Sequence, residues 1–375
     1  MKVDFYTSTR EYNDKKEEFN NAVLGVMQKG ISMLGTEVTD FEKSVQKFTG
    51  AKYAIGVASG TDALVIAADI LGFKDGKEVI TSPFTFLAST SCIVKHRAKP
   101  VFVDIDEDTF SIDARKIEEK ITKDTAGIIP IHLFSQMGDM DKIMDIASIH
   151  NLRVLEDSAE SFGMRWKGNG SEYRHAGTIG DFGVFSFFPT KTLGAYGDAG
   201  MIVTNDEELV TITKMYRVHG ASKKYHYDYI GYNSRLDSIQ AAILQVKIKY
   251  INESIKKREH IAKLYIDRLE ECEFIKIPKI KWNQKPVYYV FNVLAQRRDE
   301  LCEYLKANEI GNSIYYPIPL HLQKCFEYLG YKKGDFPVAE KIAENIIALP
   351  IYPEITEEEV EFVCETIKKF YKEII

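Results

Sequence analysis

Long apolar runs are missing from this 375-residue chain, and no uninterrupted stretch approaches the length needed to cross a bilayer. The opening stretch "MKVDFYTSTREYNDKKEEF" holds no apolar segment of the kind a secretion signal carries, so the expectation is a soluble, cytoplasmic protein. Cysteine is scarce: Cys92, Cys272, Cys302, Cys325 and Cys364 lie far apart, are odd in number and form no CxxC pair. That pattern excludes a disulfide framework and a cysteine-built zinc site. Positive charge is short as well. With a formal net charge of −6, the chain lacks the basic surface that general nucleic-acid binding requires. Its 11 prolines gather in no linker, and there is no internal repeat or low-complexity tract.

Several cofactor and hydrolase signatures are absent too. The first strand-to-helix turn reads "GVASGT" rather than GxGxxG, and "GNG" at 168–170 lacks the third glycine, which argues against a dinucleotide site. No GxxxxGK[ST] loop, HExxH pair or GxSxG elbow occurs. The eight histidines are scattered, and His132 in "IPIHLF" reads as a packed or supporting residue rather than a ligand, so no metal is expected.

What is present is an ordinary globular composition, 45% hydrophobic and 28% charged, in a chain long enough for two domains. Between about residues 35 and 205, short β-branched runs alternate with amphipathic ones. "GTEVTDFEKSVQKFTG" reads as a helix with Val38, Phe41, Val45 and Phe48 on one face, closed by Gly50. "KYAIGVA", "KEVITS", "KPVFVDID", "AGIIPIHLF", "RVLED", "GVFSFF" and "GMIVTND" read as strands, with helices such as "GTDALVIAADILG" and "DMDKIMDIASIH" between them. This alternation predicts an α/β fold with a mainly parallel sheet covered by helices on both faces. After about residue 250 the pattern changes to a long charged helix, short strands such as "VYYVFNVLA" and a final helix opened by a Thr356-to-Glu359 capping pattern. The expected division is a large α/β domain with its N-terminal arm over 1–250 and a small α+β domain over 251–375.

In an open parallel sheet, ligands collect at the C-terminal edge of the strands. Three polar groups fall there. Gly60, Thr61 and Asp62 in "ASGTDAL" open a helix, where backbone N–H groups and the helix dipole suit a phosphate. A plain cap by Ser59 or Thr61 accounts for the same residues. Asp157 ends "VLED", where it projects a carboxylate into the rim or simply caps a turn. Lys191 follows "FSFFPT", as a solvated loop charge or as a nucleophile.

In that order, with Ser186 five residues before Lys191, these groups resemble the fold-type I enzymes that use pyridoxal phosphate. More narrowly, the chain resembles the DegT/DnrJ/EryC1/StrS family of nucleotide-sugar aminotransferases. The likeness runs along nearly its whole length, through "VITSPFTFLAS", "PVFVDIDEDTF", "PIHLFSQMGDM", "EDSAESFG", "GDFGVFSFFPTKTLGAYGDAG", "GYNSRLDSIQAAIL" and "FPVAE". It implies a seven-stranded, mainly parallel sheet in the large domain. It also implies that Lys191 forms the internal aldimine with pyridoxal phosphate, with burial and the adjacent cofactor helping to keep the released amine neutral. Asp157 would face the pyridine nitrogen and Phe86 would stack on the ring. Gly60, Thr61, Asp62 and the Ser186 hydroxyl would hold the phosphate, which Asn233 would reach from the neighbouring subunit of a homodimer. Two positions depart from the family pattern. Glu160 stands where many relatives carry Gln against the ring hydroxyl, and Phe162 stands where His is common.

The implied reaction is a two-stage transfer. L-glutamate leaves its amine on the cofactor as pyridoxamine phosphate, and a nucleotide-linked keto-sugar then takes it. The segments "LGAYGDAG" and "IYYPIPLHLQKCFEYLGYKKGDFPVAE" look closer to members that aminate C-3. The favoured substrate is therefore a dTDP-3-oxo-6-deoxyhexose, followed by a UDP-linked 3-oxo sugar or a 4-oxo hexose. Tyr316 and His321 in that segment line the sugar pocket or pack the small domain. Rival readings are a sugar dehydratase of the same family, which replaces the lysine with histidine, a regulatory protein on the same fold, and a nicotinamide oxidoreductase.

Overall fold

The computed structural model describes residues 1–374. Seven strands form its central sheet: β1 (Tyr53–Val57), β2 (Glu78–Thr81), β3 (Lys99–Phe102), β4 (Thr125–Ile128), β5 (Arg153–Asp157), β6 (Phe182–Ser186) and β7 (Gly200–Thr204). Their spatial order is β1-β7-β6-β5-β4-β2-β3. The pairs from β3 through β6 are parallel, while β7 is antiparallel to both β6 and β1. The sheet is thus an α/β sheet with one reversed strand, matching the fold class expected from the alternating pattern.

Alternate residues of each strand feed opposite faces, as the two-residue period requires. Val57, Leu155 and Ile202 join the core beneath helices Gly60–Ile70 and Leu87–Lys95. Val154 packs instead with Ile143 and Ile146 of helix Met140–His150, and Met201 and Val203 pack with Phe41 and Val45 of helix Thr36–Thr49. Both faces are therefore apolar, which explains strands with no polar alternation. Helix Thr36–Thr49 ends at Gly50, whose φ of 84° is the left-handed conformation glycine adopts without a Cβ penalty.

Beyond residue 250, the helix Ile251–Leu269 leads to a second, antiparallel sheet of three strands. These are β8 (Ile275–Lys276), β9 (Phe291–Ala295) and β10 (Ile346–Leu349), in the order β8-β9-β10. The last helix, Glu357–Ile374, covers this sheet with Val360, Val363 and Ile367. Val3 packs into the same cluster, so the N-terminal arm reaches across to the C-terminal region. Among the described residues no helix is long and apolar enough to cross a membrane.

Candidate active site

A cavity of about 620 Å³ opens at the C-terminal edge of the parallel strands. Its walls include Gly60, Thr61, Phe86, Asp157, Glu160, Ser186, Lys191 and Tyr316. Eight residues that the sequence had singled out therefore converge on one space. Asp157 is the last residue of β5 and Ser186 the last of β6, while Gly60 opens the helix that follows β1.

Helix Gly60–Ile70 points its N-terminus at the cavity, and the amides of its first turn have no partner inside the helix. Ser59 caps it, with its hydroxyl accepting from the Asp62 amide at 3.0 Å. The capping reading of "ASGTDAL" is thus met by Ser59, and the cap bears on the phosphate reading. The Asp62 N–H expected to face a phosphate is taken by Ser59, which leaves Gly60 and Thr61. Gly60 is required for packing, because a Cβ there would lie 2.7 Å from the Ser186 Cβ. This close approach makes a cradle between the helix start and the Ser186 hydroxyl. That hydroxyl accepts from the Phe188 amide at 3.3 Å and keeps its own proton to donate. The cradle has the donors, the dipole and the concavity that a phosphate monoester requires.

Asp157 is buried, and its carboxylate is held at both oxygens. Ser89 donates to Oδ2 at 2.6 Å, and the Ala159 amide donates to Oδ1 at 3.1 Å. Burial pushes its proton affinity above the usual carboxylate range, against the pull of those donors and of Lys191. Next to it, Glu156 is wholly enclosed and is held below the ordinary range. Burial alone would push it up, but His132 and the amides of Ile179 and Gly180 outweigh that cost. His132 lines the cavity as well, buried and 3.0 Å from Glu156. It is a packed, paired residue.

Lys191 sits in the turn after β6, with its amide donating to the Phe188 carbonyl at 2.8 Å. Gly194 lets this loop fold tightly, since a Cβ there would come within 2.2 Å of the Pro189 carbonyl oxygen. The ammonium lies 3.3 Å from Glu160 Oε1 and 4.2 Å from the centre of the Tyr289 ring. Burial pulls the Lys191 pKa down, and without cofactor Glu160, Tyr289 and Asp157 together outweigh it and leave it raised.

Other expected site residues lie elsewhere. His321 is buried outside the cavity, with Nε2 3.0 Å from the Glu340 carboxylate and its ring against Phe336, so it packs beside helix Pro337–Asn345. Asn233 is exposed and accepts from Arg235 at 2.7 Å, outside the cavity of its own chain. Phe162 lies in the apolar cluster with Phe185 and Phe187, where a histidine would have to bury a polar edge. Sequence reasoning missed Ser89 and Tyr289. Ser89 had a local signal, standing four residues after Thr85 on the turn that faces Asp157, with their hydroxyls 2.9 Å apart. Tyr289 had none, because it arrives from a strand entry nearly one hundred residues away.

The sequence profile of the DegT/DnrJ/EryC1/StrS aminotransferase family matches residues 13–368. A "Pleiotropic regulatory protein" of Geobacillus stearothermophilus is 42% identical, covering 99% of both chains. A UDP-2-acetamido-2-deoxy-3-oxo-D-glucuronate aminotransferase of Pseudomonas aeruginosa is 38% identical, over 96% of this chain and 98% of its own. A dTDP-3-amino-3,6-dideoxy-alpha-D-galactopyranose transaminase of Aneurinibacillus thermoaerophilus is 39% identical, over 95% and 96%. Among solved structures, S. venezuelae DesV in complex with a ketimine intermediate superposes with a TM-score of 0.94 at 33% identity, covering 98% of each chain.

Proposed function

We propose that this chain, which belongs to the DegT/DnrJ/EryC1/StrS aminotransferase family of pyridoxal-phosphate enzymes, moves the amino group of L-glutamate to C-3 of a dTDP-linked 3-oxo-6-deoxyhexose. The carrying observation is the charge of the cavity wall. Among the described residues its only Lys or Arg is Lys191, beside Asp157, Glu160 and Asp198, with Phe86, Phe188 and Ile314 as apolar surface. A neutral, deoxygenated sugar suits such a wall, whereas a uronate would meet no cation there but a Lys191 already paired with Glu160. A UDP-linked 3-oxo sugar is the second reading, favoured by the P. aeruginosa relative.

Pyridoxal phosphate supplies an electron sink and a carbonyl that can carry the amine. In this reading Gly60 and Thr61 amides and the Ser186 hydroxyl hold its phosphate, Phe86 covers the ring, and Asp157 keeps the ring nitrogen protonated. Lys191 would bond the cofactor, and its Nζ, once released, would hold and move the proton. The exposed position of Asn233 leaves it free to reach the phosphate site of a second subunit, so the working unit is a homodimer.

The test is the visible absorbance of the protein with pyridoxal phosphate, before and after L-glutamate, alongside Lys191→Ala. A band that glutamate bleaches in the wild type, with turnover down by about 10²–10⁴-fold in the variant, is the expected outcome. Product analysis with dTDP- and UDP-linked 3-oxo sugars then decides the substrate. No band with the cofactor, or a band in Lys191→Ala identical to the wild type, overturns the reading.

A further inference from the structure

We propose that Glu160 is a positioning residue for Lys191: its carboxylate holds the free lysine as an ammonium and so sets the pH at which the amine becomes a nucleophile. The proposal rests on Lys191 being the residue that bonds the cofactor. It concerns the intervals in which that bond is open.

Glu160 Oε1 is 3.3 Å from Lys191 Nζ and also accepts from the Tyr316 hydroxyl at 3.3 Å. Glu160 is 6% exposed, so water does little to screen the pair. The arrangement joins three separate parts of the chain. Glu160 follows β5, Lys191 follows β6, and Tyr316 comes from the segment before β10. Tyr316 is itself fixed among Phe84, Phe86 and Phe134, with ring centres 6.1 to 6.3 Å away. The carboxylate therefore has little freedom to leave the lysine.

The other groups around the ammonium do not provide the same grip. Tyr289 presents its ring face at 4.2 Å, a weaker cation–π contact. Asp157 is already engaged by Ser89 and by the Ala159 amide. Tyr315 and His132 line the same cavity, as does Asp198 on the loop that carries Lys191. Neither Asp157 nor Asp198 makes an ion pair with Nζ, and the contact at 3.3 Å is to Glu160. Burial opposes the charge on Lys191, and Glu160, helped by Tyr289 and Asp157, outweighs it. An amide at position 160 keeps the shape and a hydrogen bond to Tyr316 but loses the charge. Burial is then opposed only by Tyr289 and Asp157, and the lysine titrates at lower pH.

The experiment uses the full-length, cofactor-free protein, so its result is independent of any sugar. Labelling of Lys191 by trinitrobenzenesulfonate is followed against pH, with the modified peptide read by mass spectrometry. The pH dependence of the rate of visible-band formation on adding pyridoxal phosphate is a second readout. In Glu160→Gln both inflections are expected about 1–3 pH units below those of the wild type, the range for an opposite charge at this distance. Glu160→Asp, which keeps the charge, is expected between the two. Tyr316→Phe removes the competing donor and is expected to move the inflection upward, which keeps the idea testable should Glu160→Gln fold poorly. Thermal midpoints report on folding for each variant. Coincident inflections for wild type and Glu160→Gln, or a higher one in the variant, would overturn the proposal. A protein that forms no visible band in any variant would instead defeat the functional reading beneath it.

Discussion

Ser89 sets its hydroxyl 2.6 Å from Asp157 Oδ2 and is buried with it, so the bond is a charge-assisted one away from water. Burial raises the proton affinity of Asp157, and Ser89 is the strongest counterweight. Removing that donor leaves burial less opposed, so the proton is held to higher pH. A neutral Asp157 can no longer keep a ring nitrogen charged. For Ser89→Ala the acid limb of the kcat/KM profile is therefore expected to move to higher pH, with activity recovering on the alkaline side. A pH–rate profile of wild type and variant checks it, and superimposable acid limbs would show that Ser89 is not what holds Asp157 ionised. At this scale the sequence was informative wherever a side chain acts close to its own strand end. Asp157 and Lys191 each terminate a legible apolar run, and their convergence follows from the rule for parallel sheets. What could not be read were the partners. The sign of the lysine's shift depends on the 3.3 Å contact between positions 160 and 191, and no pattern in the chain specifies that distance.

At the scale of elements, the last helix shows the same division. Its capping box was legible from Thr356 and Glu359 alone, and both reciprocal bonds form. The Thr356 amide donates to Glu359 Oε2 at 2.8 Å, and the Glu359 amide donates to Thr356 Oγ1 at 3.2 Å. The third partner was invisible. Arg10, 349 residues earlier, donates to both oxygens of the same carboxylate at 2.7 and 2.5 Å. Glu359 thus ties the N-terminal arm to the final helix. The Arg10 bond, together with the cap, overcomes burial and holds Glu359 below its ordinary pKa of 4.5. A carboxyl lowered by folding stabilises the protein above its unfolded pKa, and that contribution fades as pH falls through the lower, folded value. Glu359→Gln is expected to cost about 1 kcal/mol at neutral pH, since Arg10 is partly exposed and its pairing is screened. Thermal midpoints at pH 7 and near pH 3 test this. The gap between wild type and variant should be wide at pH 7 and narrow in acid, and a gap independent of pH would mean that the charge contributes nothing.

At the scale of the whole molecule, the segment leading to Asn233 presents apolar surface to solvent. The hairpin of Ala221–Lys223 and His226–Tyr227 and the residues after it expose Tyr225, Tyr227, Tyr229 and Ile230, the last at 96%. Such a run of exposed aromatic and aliphatic side chains marks a candidate surface for a partner. Asn233 stands three residues further on, outside the cavity of its own chain. If a second copy covers this segment and receives Asn233, each site draws on two chains, and that arrangement has a numerical consequence. Lys191→Ala and Asn233→Ala are each expected to be inactive alone, the second through weakened cofactor binding. Unfolded together, refolded and re-associated in equal amounts, they give half heterodimers. Each heterodimer has one site with Lys191 from one chain and Asn233 from the other, both intact, and one site lacking both. About a quarter of wild-type activity is therefore expected from the mixture, and a dimer mass in scattering for every species. A mixture no more active than its parents would place Asn233 outside the site, and a monomeric mass would remove the shared site altogether.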